Sequence, residues 1–182
     1  IYLAEQIAKK LGVQVEIQEM AFDSLIAALN ANKVDMVISG VNPTEERKKA
    51  VDFSDVYYTS KGIFVVNKDS EEIKSVADLK NKKIGVQKGS TYETYAKEQL
   101  KMDDKNIQAL TDVPSLLQDL KNKKIDAVLI PDDVAKIAMN KYTDIKISSF
   151  TADNDPEATG MAIAFKKGKN DSNKELLEQV NA

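Results

Sequence analysis

Apolar residues at helical spacing alternate along this chain with short continuous apolar runs, and the breaks between them are polar or carry glycine. Residues 1–12 read as an amphipathic helix closed by Gly12 at its C′ position, followed by a strand at about 13–19. A helix-and-strand unit occupies 24–38, and a loop, Ser39-Gly40-Val41-Asn42-Pro43, leads to Thr44. Short strands are predicted near 50–53 and 61–66, then a polar, linker-like stretch over 68–83. Next come a strand at 83–87, a helix opening at Ser90, a strand near 106–110, a second helix-and-strand unit, a helix at about 132–140 and a strand near 145–148. A polar stretch over 151–159 precedes an apolar strand at 160–166 and a helix from about 171.

The two helix-and-strand units are copies of one another. Fifteen residues starting at Ser24 align without a gap on fifteen starting at Ser115, 91 positions later, with six identical columns. In each copy Leu25, Ile26 and Leu29, or Leu116, Leu117 and Leu120, give way to a polar turn and a buried run headed by Val34-Asp35 or Ile125-Asp126. A spacing of 91 is too long for a solenoid period and implies two similar α/β lobes. Ligands of open α/β sheets sit at the carboxyl ends of strands, so the segments after Ile38 and Leu129 are where chemistry is sought.

Composition narrows that chemistry. The 182-residue chain has 42% hydrophobic residues, enough for a core in one or two domains. It carries 26 Lys and Arg against 29 Asp and Glu, net −3, and its cations are scattered rather than gathered in a stripe, so no nucleic-acid partner is expected. Without cysteine there is no thiolate nucleophile, disulfide or zinc-thiolate site, and without histidine the usual general base and metal ligand are missing. No cofactor and no metal are expected. No apolar run approaches the roughly 20 residues that span a bilayer. No basic and apolar leader is present, so any export signal is expected outside this chain. The first helix starts without a cap or a preceding strand, which points to a fragment truncated at both ends.

Two helix starts suit an anion. Thr44, after a proline and before Glu45 and Glu46, is a good N-cap, and the peptide N–H groups around it lack intrahelical partners. Arg47, one turn in, could grip a carboxylate with both arms of its guanidinium, or pair with Glu46 or Asp52 on the surface. At the second start Gly89 allows a sharp turn, and Ser90 with Glu93 forms a capping box; taken alone, an ordinary helix cap is the better explanation of it. Asp132 and Asp133, at a strand end, suit an ammonium group or simply begin the next helix.

These residues, read together, closely resemble the polar amino-acid-binding proteins of ABC importers, the extracellular solute-binding proteins of family 3. The resemblance is carried by Phe22-Asp23-Ser24-Leu25-Ile26, Lys33-Val34-Asp35, the run from Ser39 through Arg47 to Lys49, and Val51-Asp52-Phe53-Ser54. Ile84-Gly85-Val86 with Gly89-Ser90-Thr91, then Ile125-Asp126-Ala127-Val128 and Thr159-Gly160-Met161-Ala162, follow in the family's order. It implies an α/β, two-lobed periplasmic-binding-protein type 2 fold, each lobe a mixed sheet flanked by helices. Lobe 1 would comprise 1–60 and 160–182, lobe 2 would comprise 61–159, and hinge crossovers would fall at 58–61 and 157–160.

By the same resemblance Arg47 binds the ligand's α-carboxylate, while Ser39, Gly40 and Asn42 line the loop that offers it further bonds. Ser90 and Thr91 complete the carboxylate cradle from lobe 2, Phe22 walls the ligand side chain and Gln87 varies with ligand. The family's acidic residue for the α-ammonium falls at Pro131 by strict counting, so Asp132 is taken as the ammonium ligand, with Asp133 as the alternative. The expected function is capture of a free L-α-amino acid between the lobes, with hinge closure and delivery to an ABC permease. The expected protein is a monomer outside the cytoplasm, either in the periplasm or on the outer face of the cell membrane as a lipoprotein, any membrane attachment being through a lipid anchor beyond this chain. The competing readings are a dehydratase-like enzyme on the same fold and the ligand-sensing module of a receptor.

Overall fold

The computed structural model describes residues 1–152, 159–168 and 171–182. In chain order these form α1 (Tyr2–Leu11), α2 (Leu25–Asn30), β1 (Met36–Val37), α3 (Glu45–Ala50), β2 (Val51–Phe53) and β3 (Tyr58–Thr59). There follow β4 (Gly62–Asn67), β5 (Ile84–Gln87), α4 (Thr91–Glu98), β6 (Ile107–Leu110), α5 (Val113–Lys121), β7 (Ala127–Pro131), α6 (Asp132–Lys141) and β8 (Ile145–Ala152). The chain ends with β9 (Gly160–Met161), β10 (Ala164–Lys166) and α7 (Asp171–Asn181). It divides into two units, Ile1–Tyr58 with Gly160–Ala182, and Thr59–Thr159. Of the expected crossovers, residues 157 and 158 lie outside the described residues, as does the Asp-Pro part of the polar stretch.

The second unit is built on a five-stranded mixed sheet in the order β6-β5-β7-β4-β8. β5 runs parallel to β6 and β7, and β4 runs antiparallel to β7 and β8. All six residues of β4 are buried, the signature of a strand covered on both faces. Phe64 and Val66 pack on one side with Tyr92, Tyr95 and Ala96 of α4; Ile63 and Val65 pack on the other with Leu116, Leu117 and Leu120 of α5. Gly85 lets α5 approach the sheet: a Cβ there would lie 2.6 Å from Ile125 Cδ1 and 2.8 Å from Leu116 Cδ2. The stretch over 68–83, polar in sequence, is anchored by the buried Ile73 and Leu79 and contains a short turn of helix, Val76–Leu79, with a Ser75/Asp78 capping box. Its four apolar residues, Ile73, Val76, Ala77 and Leu79, are scattered among charged and polar neighbours, which is why it reads as a linker.

In the first unit β10 lies between β1 and β2, antiparallel to both. Leu25 and Leu29 of α2 pack on Val37, Val41, Val51 and Ala164, with Phe22 against the edge of that core. The strand expected at about 13–19 does not form. Val13, Val15 and Ile17 are 58%, 42% and 45% exposed, and no strand partner holds them among the described residues, so the extended backbone has no ladder to join.

The duplicated units have the same local geometry. Asn32 and Lys123, 91 residues apart, both take a left-handed conformation, with φ of 58° and 57°. Each follows a helix whose last carbonyls accept equivalent bonds: Lys33 N–H to Ala28 O in one copy and Lys124 N–H to Asp119 O in the other, at 3.0 and 2.9 Å.

Candidate functional site

In the first unit the loop after β1 turns at Gly40, where φ is 63°, a conformation a side chain would strain. Met161 backs this turn, its Sδ and Cε each 3.5 Å from where a Gly40 Cβ would sit. Ser39 is exposed beside it. Val41 is fastened by its carbonyl, which accepts the Ala162 N–H at 3.0 Å. Asn42 is only 5% exposed, and its carbonyl accepts both the Thr44 N–H at 2.9 Å and Arg47 Nη1 at 3.0 Å. Its side-chain amide donates to Gly160 O at 2.6 Å. Thr44 caps α3 as expected, its Oγ1 accepting the Arg47 N–H at 3.2 Å.

Arg47 therefore projects from the first turn of α3 with one arm held by Asn42 and its guanidinium carbon 5.7 Å from the Phe22 ring centroid. Burial pulls its pKa down from the ordinary arginine range, with the Glu46 charge opposing. A cation stacked on an aromatic face and partly stripped of water is prepared for an anion. Asp52, its other potential surface partner, accepts the Gly168 N–H at 2.8 Å.

The second unit, taken by itself, has two strand ends that lead into helix starts. Gln87 closes β5, its side-chain amide donating to Thr111 O at 3.2 Å. Ser90 caps α4 by position but makes no side-chain cap bond; its Oγ is buried without a hydrogen-bond partner, and Thr91 beside it is buried. The capping box expected from Ser90 and Glu93 does not form, because Glu93 Oε2 accepts the Gly89 N–H at 2.8 Å and Oε1 pairs with Lys97 at 2.9 Å. The start of α4 thus holds a buried hydroxyl without a partner, at the positive end of a helix dipole that suits an anion.

At the end of β7 the two aspartates are in different settings. Asp132 pairs with Lys136 at 2.9 Å and accepts the Lys61 N–H at 3.4 Å. Burial raises its pKa, but Lys136 and the Lys61 N–H outweigh that and hold it below the ordinary carboxylate value. Asp133 Oδ1 is buried with no hydrogen-bond partner. Tyr92 is close to both: burial pushes its phenol up to about 12, the Ser60 hydroxyl offsets part of this, and the Asp133 and Asp132 charges add to it.

Sequence reasoning singled out the loop, Arg47 and the two helix starts but missed Met161 beneath Gly40 and the buried Ser60. Their only sequence signal is a place near the ends of predicted strands. Among the described residues no cluster of His, Cys, Asp or Glu could hold a metal ion, and no helix is long and apolar enough to cross a membrane.

Comparison with known proteins gives these features a family. The model of bacterial extracellular solute-binding proteins, family 3, matches residues 1–182. The chain is 42% identical over 186 residues to the arginine-binding extracellular protein of Bacillus subtilis, covering 100% of this chain and 68% of that one. It is 36% identical over 181 residues to a probable histidine-binding protein of Campylobacter jejuni, covering 98% of this chain and 66% of that one. The chain thus spans about two thirds of the length of these relatives. Among solved structures, an amino acid ABC transporter substrate-binding protein of Streptococcus pneumoniae bound to L-arginine superposes with a TM-score of 0.89 at 39% identity, covering 99% of this chain and 73% of that one. The two-unit α/β architecture is therefore that of solved amino-acid-binding proteins, and the match is to binding proteins rather than enzymes, which sets the dehydratase reading aside. Because the family model matches its whole length, this chain is a member of family 3 of the bacterial extracellular solute-binding proteins.

Proposed function

We propose that the full-length protein captures a free L-α-amino acid outside the cytoplasm and delivers it to an ABC permease, making and breaking no bond. The observation that carries this reading is Arg47, half-buried at a helix start, stacked on Phe22 and steadied by the Asn42 carbonyl. In this reading its guanidinium takes the α-carboxylate, supported by the Ser39-Gly40 backbone and, from the other unit, by Ser90 and Thr91. Phe22, Gln87 and Tyr92 adjoin the ligand side chain. L-Arginine is the first candidate, because the 42%-identical relative is arginine-binding and the pneumococcal structure holds L-arginine.

For the α-ammonium the observations favour Asp133 over Asp132, the residue expected from sequence. A buried carboxylate oxygen without a partner costs about 1–3 kcal/mol or more, and a ligand cation removes that cost, whereas the Asp132 carboxylate already has Lys136. The lobes of this proposal are 1–60 with 160–182, and 61–159, with crossovers at 58–61 and 157–160. A ligand gripped by groups of both would favour the form in which both reach it. The protein acts as a monomer, with a lipid anchor outside this chain as its membrane attachment.

Calorimetric titration of the full-length protein with L-arginine, L-histidine, L-cystine and L-glutamine tests the reading. Binding of at least one, with a smaller radius of gyration in solution scattering, is the expected result; no heat from any of them would refute amino-acid capture of this range. Asp133→Asn should weaken binding more than Asp132→Asn, and the opposite order would return the ammonium to Asp132.

A further inference from the structure

Ser60 and Asp133, both in the second unit, each carry a buried oxygen without a partner, and Tyr92 is the neighbour they share. The sheet brings the three together through Gly62. It pairs with Pro131 across β4 and β7, and the Tyr92 ring lies on it so closely that a Cβ there would sit 2.5 Å from Tyr92 Cε1. Ser60 stands two residues before Gly62 and Asp133 two residues after Pro131. The main chain on both flanks is pinned: Ser60 N–H donates to Thr159 O at 2.8 Å, and Asp132 N–H donates to Lys61 O at 2.9 Å. The Ser60 hydroxyl therefore changes its neighbours only by turning about its own side-chain bond. Burial, with the Asp133 charge adding to it, keeps the Tyr92 phenol protonated and so a donor. The Ser60 hydroxyl is near enough to offset part of that shift but makes no bond. Ser60 is 6% exposed, and a buried hydroxyl left unsatisfied is costly; kept beside a partnerless carboxylate, it indicates a bond that is made in another state of the protein.

We propose that Ser60 is a positioning residue for the ammonium site: in the liganded protein its hydroxyl donates to Tyr92 Oη and the phenol donates to Asp133 Oδ1, which fixes the carboxylate and leaves its remaining lone pairs for the ammonium. This rests on the reading of Asp133 as the ammonium-binding residue. Each bond strengthens the next, because a phenol that accepts a hydrogen bond is itself a better donor. The effect of Ser60 on binding must then pass through Tyr92 and Asp133. A serine that served packing alone would change stability and leave affinity as it was.

The test uses the full-length protein with Ser60→Ala, with Tyr92→Phe, which keeps the ring on Gly62, and with Asp133→Asn, singly and in pairs. Without ligand, the urea midpoint of Ser60→Ala should equal that of wild type or exceed it, because an unsatisfied hydroxyl has been removed; a lower midpoint would mean that the hydroxyl is already bonded, against the proposal. Titrated with L-arginine, or with whichever of L-histidine, L-cystine and L-glutamine the wild type binds, Ser60→Ala should weaken binding by about fivefold, as for one hydrogen bond, and Tyr92→Phe by as much or more. Ser60→Ala should cost less than about twofold when Tyr92→Phe or Asp133→Asn is already present. Undiminished loss in those backgrounds would mean that Ser60 acts by another route, and unchanged affinity of Ser60→Ala beside a weakened Asp133→Asn would mean that no relay forms; either overturns the proposal. If the wild type bound none of the four, or if Asp133→Asn bound like wild type, the ammonium reading would fail and take this proposal with it, a result distinct from both.

Discussion

Replacing Arg47 by lysine keeps a positive charge at the start of α3 and removes the planar fork, which isolates what the guanidinium contributes. One arm of the native side chain is bonded to Asn42 O at 3.0 Å and its face lies 5.7 Å from the Phe22 centroid, so its orientation is set before a ligand arrives. A lysine ammonium at that place must choose between the Asn42 carbonyl and an incoming carboxylate, because it cannot present two parallel donors. The loss is one charge-assisted hydrogen bond, about 1.5–3 kcal/mol. At about 1.4 kcal/mol per decade, this is a rise in Kd of about tenfold to a hundredfold. Stacking on Phe22 adds little to the difference, since a lysine also stacks, at about 0.5–1 kcal/mol on an exposed ring. The assay is calorimetric titration of full-length wild-type and Arg47→Lys protein with L-arginine, with unliganded thermal unfolding to check that both are folded. A Kd within twofold of wild type, in a variant that melts normally, would refute the carboxylate-grip argument and make Arg47 a surface cation.

Gly85→Ala should destabilise by about 1–3 kcal/mol in urea unfolding, because the added methyl would sit 2.6 Å from Ile125 Cδ1 and 2.8 Å from Leu116 Cδ2, both fully buried; an unchanged midpoint would show that α5 can shift. Lys123→Asn should stabilise by up to about 1 kcal/mol, since lysine is held at φ 57° where asparagine sits more easily, and its ion pair with Asp69 is exposed; a lower midpoint would mean that the pair outweighs backbone strain. The carboxyls of Asp112 and Asp132 are held below their ordinary value, Asp112 mainly by the Ser115 N–H and hydroxyl. Depressed pKa values mean stability that is complete above the unfolded carboxyl pKa of about 4 and is lost as pH falls through the lower folded values. With no histidine, thermal midpoints should be level from pH 5.5 to 8 and fall only in the acid range; a step near pH 6.5 would contradict this.

What the sequence by itself determined is local or repeated. The duplicated unit is legible because a helix, a left-handed residue and a strand are specified within fifteen residues, and both copies take the same backbone at Asn32 and Lys123. The Thr44 cap of α3 and the glycine end of α1 are likewise set by residues a few positions apart, where propensity and capping act without the rest of the chain. The tertiary structure decided whatever depends on a distant partner. The segment 13–19 has the pattern of a strand and, among the described residues, no ladder to join, because pairing is a property of two segments rather than one. Asp133 rather than Asp132 keeps a buried oxygen without a partner, a difference made by how the surrounding segments pack and invisible in two adjacent identical letters. Asn42 meets Gly160 across 118 residues. Such a bond exists only once β10 has inserted between β1 and β2, and burial then requires that the amide find an acceptor.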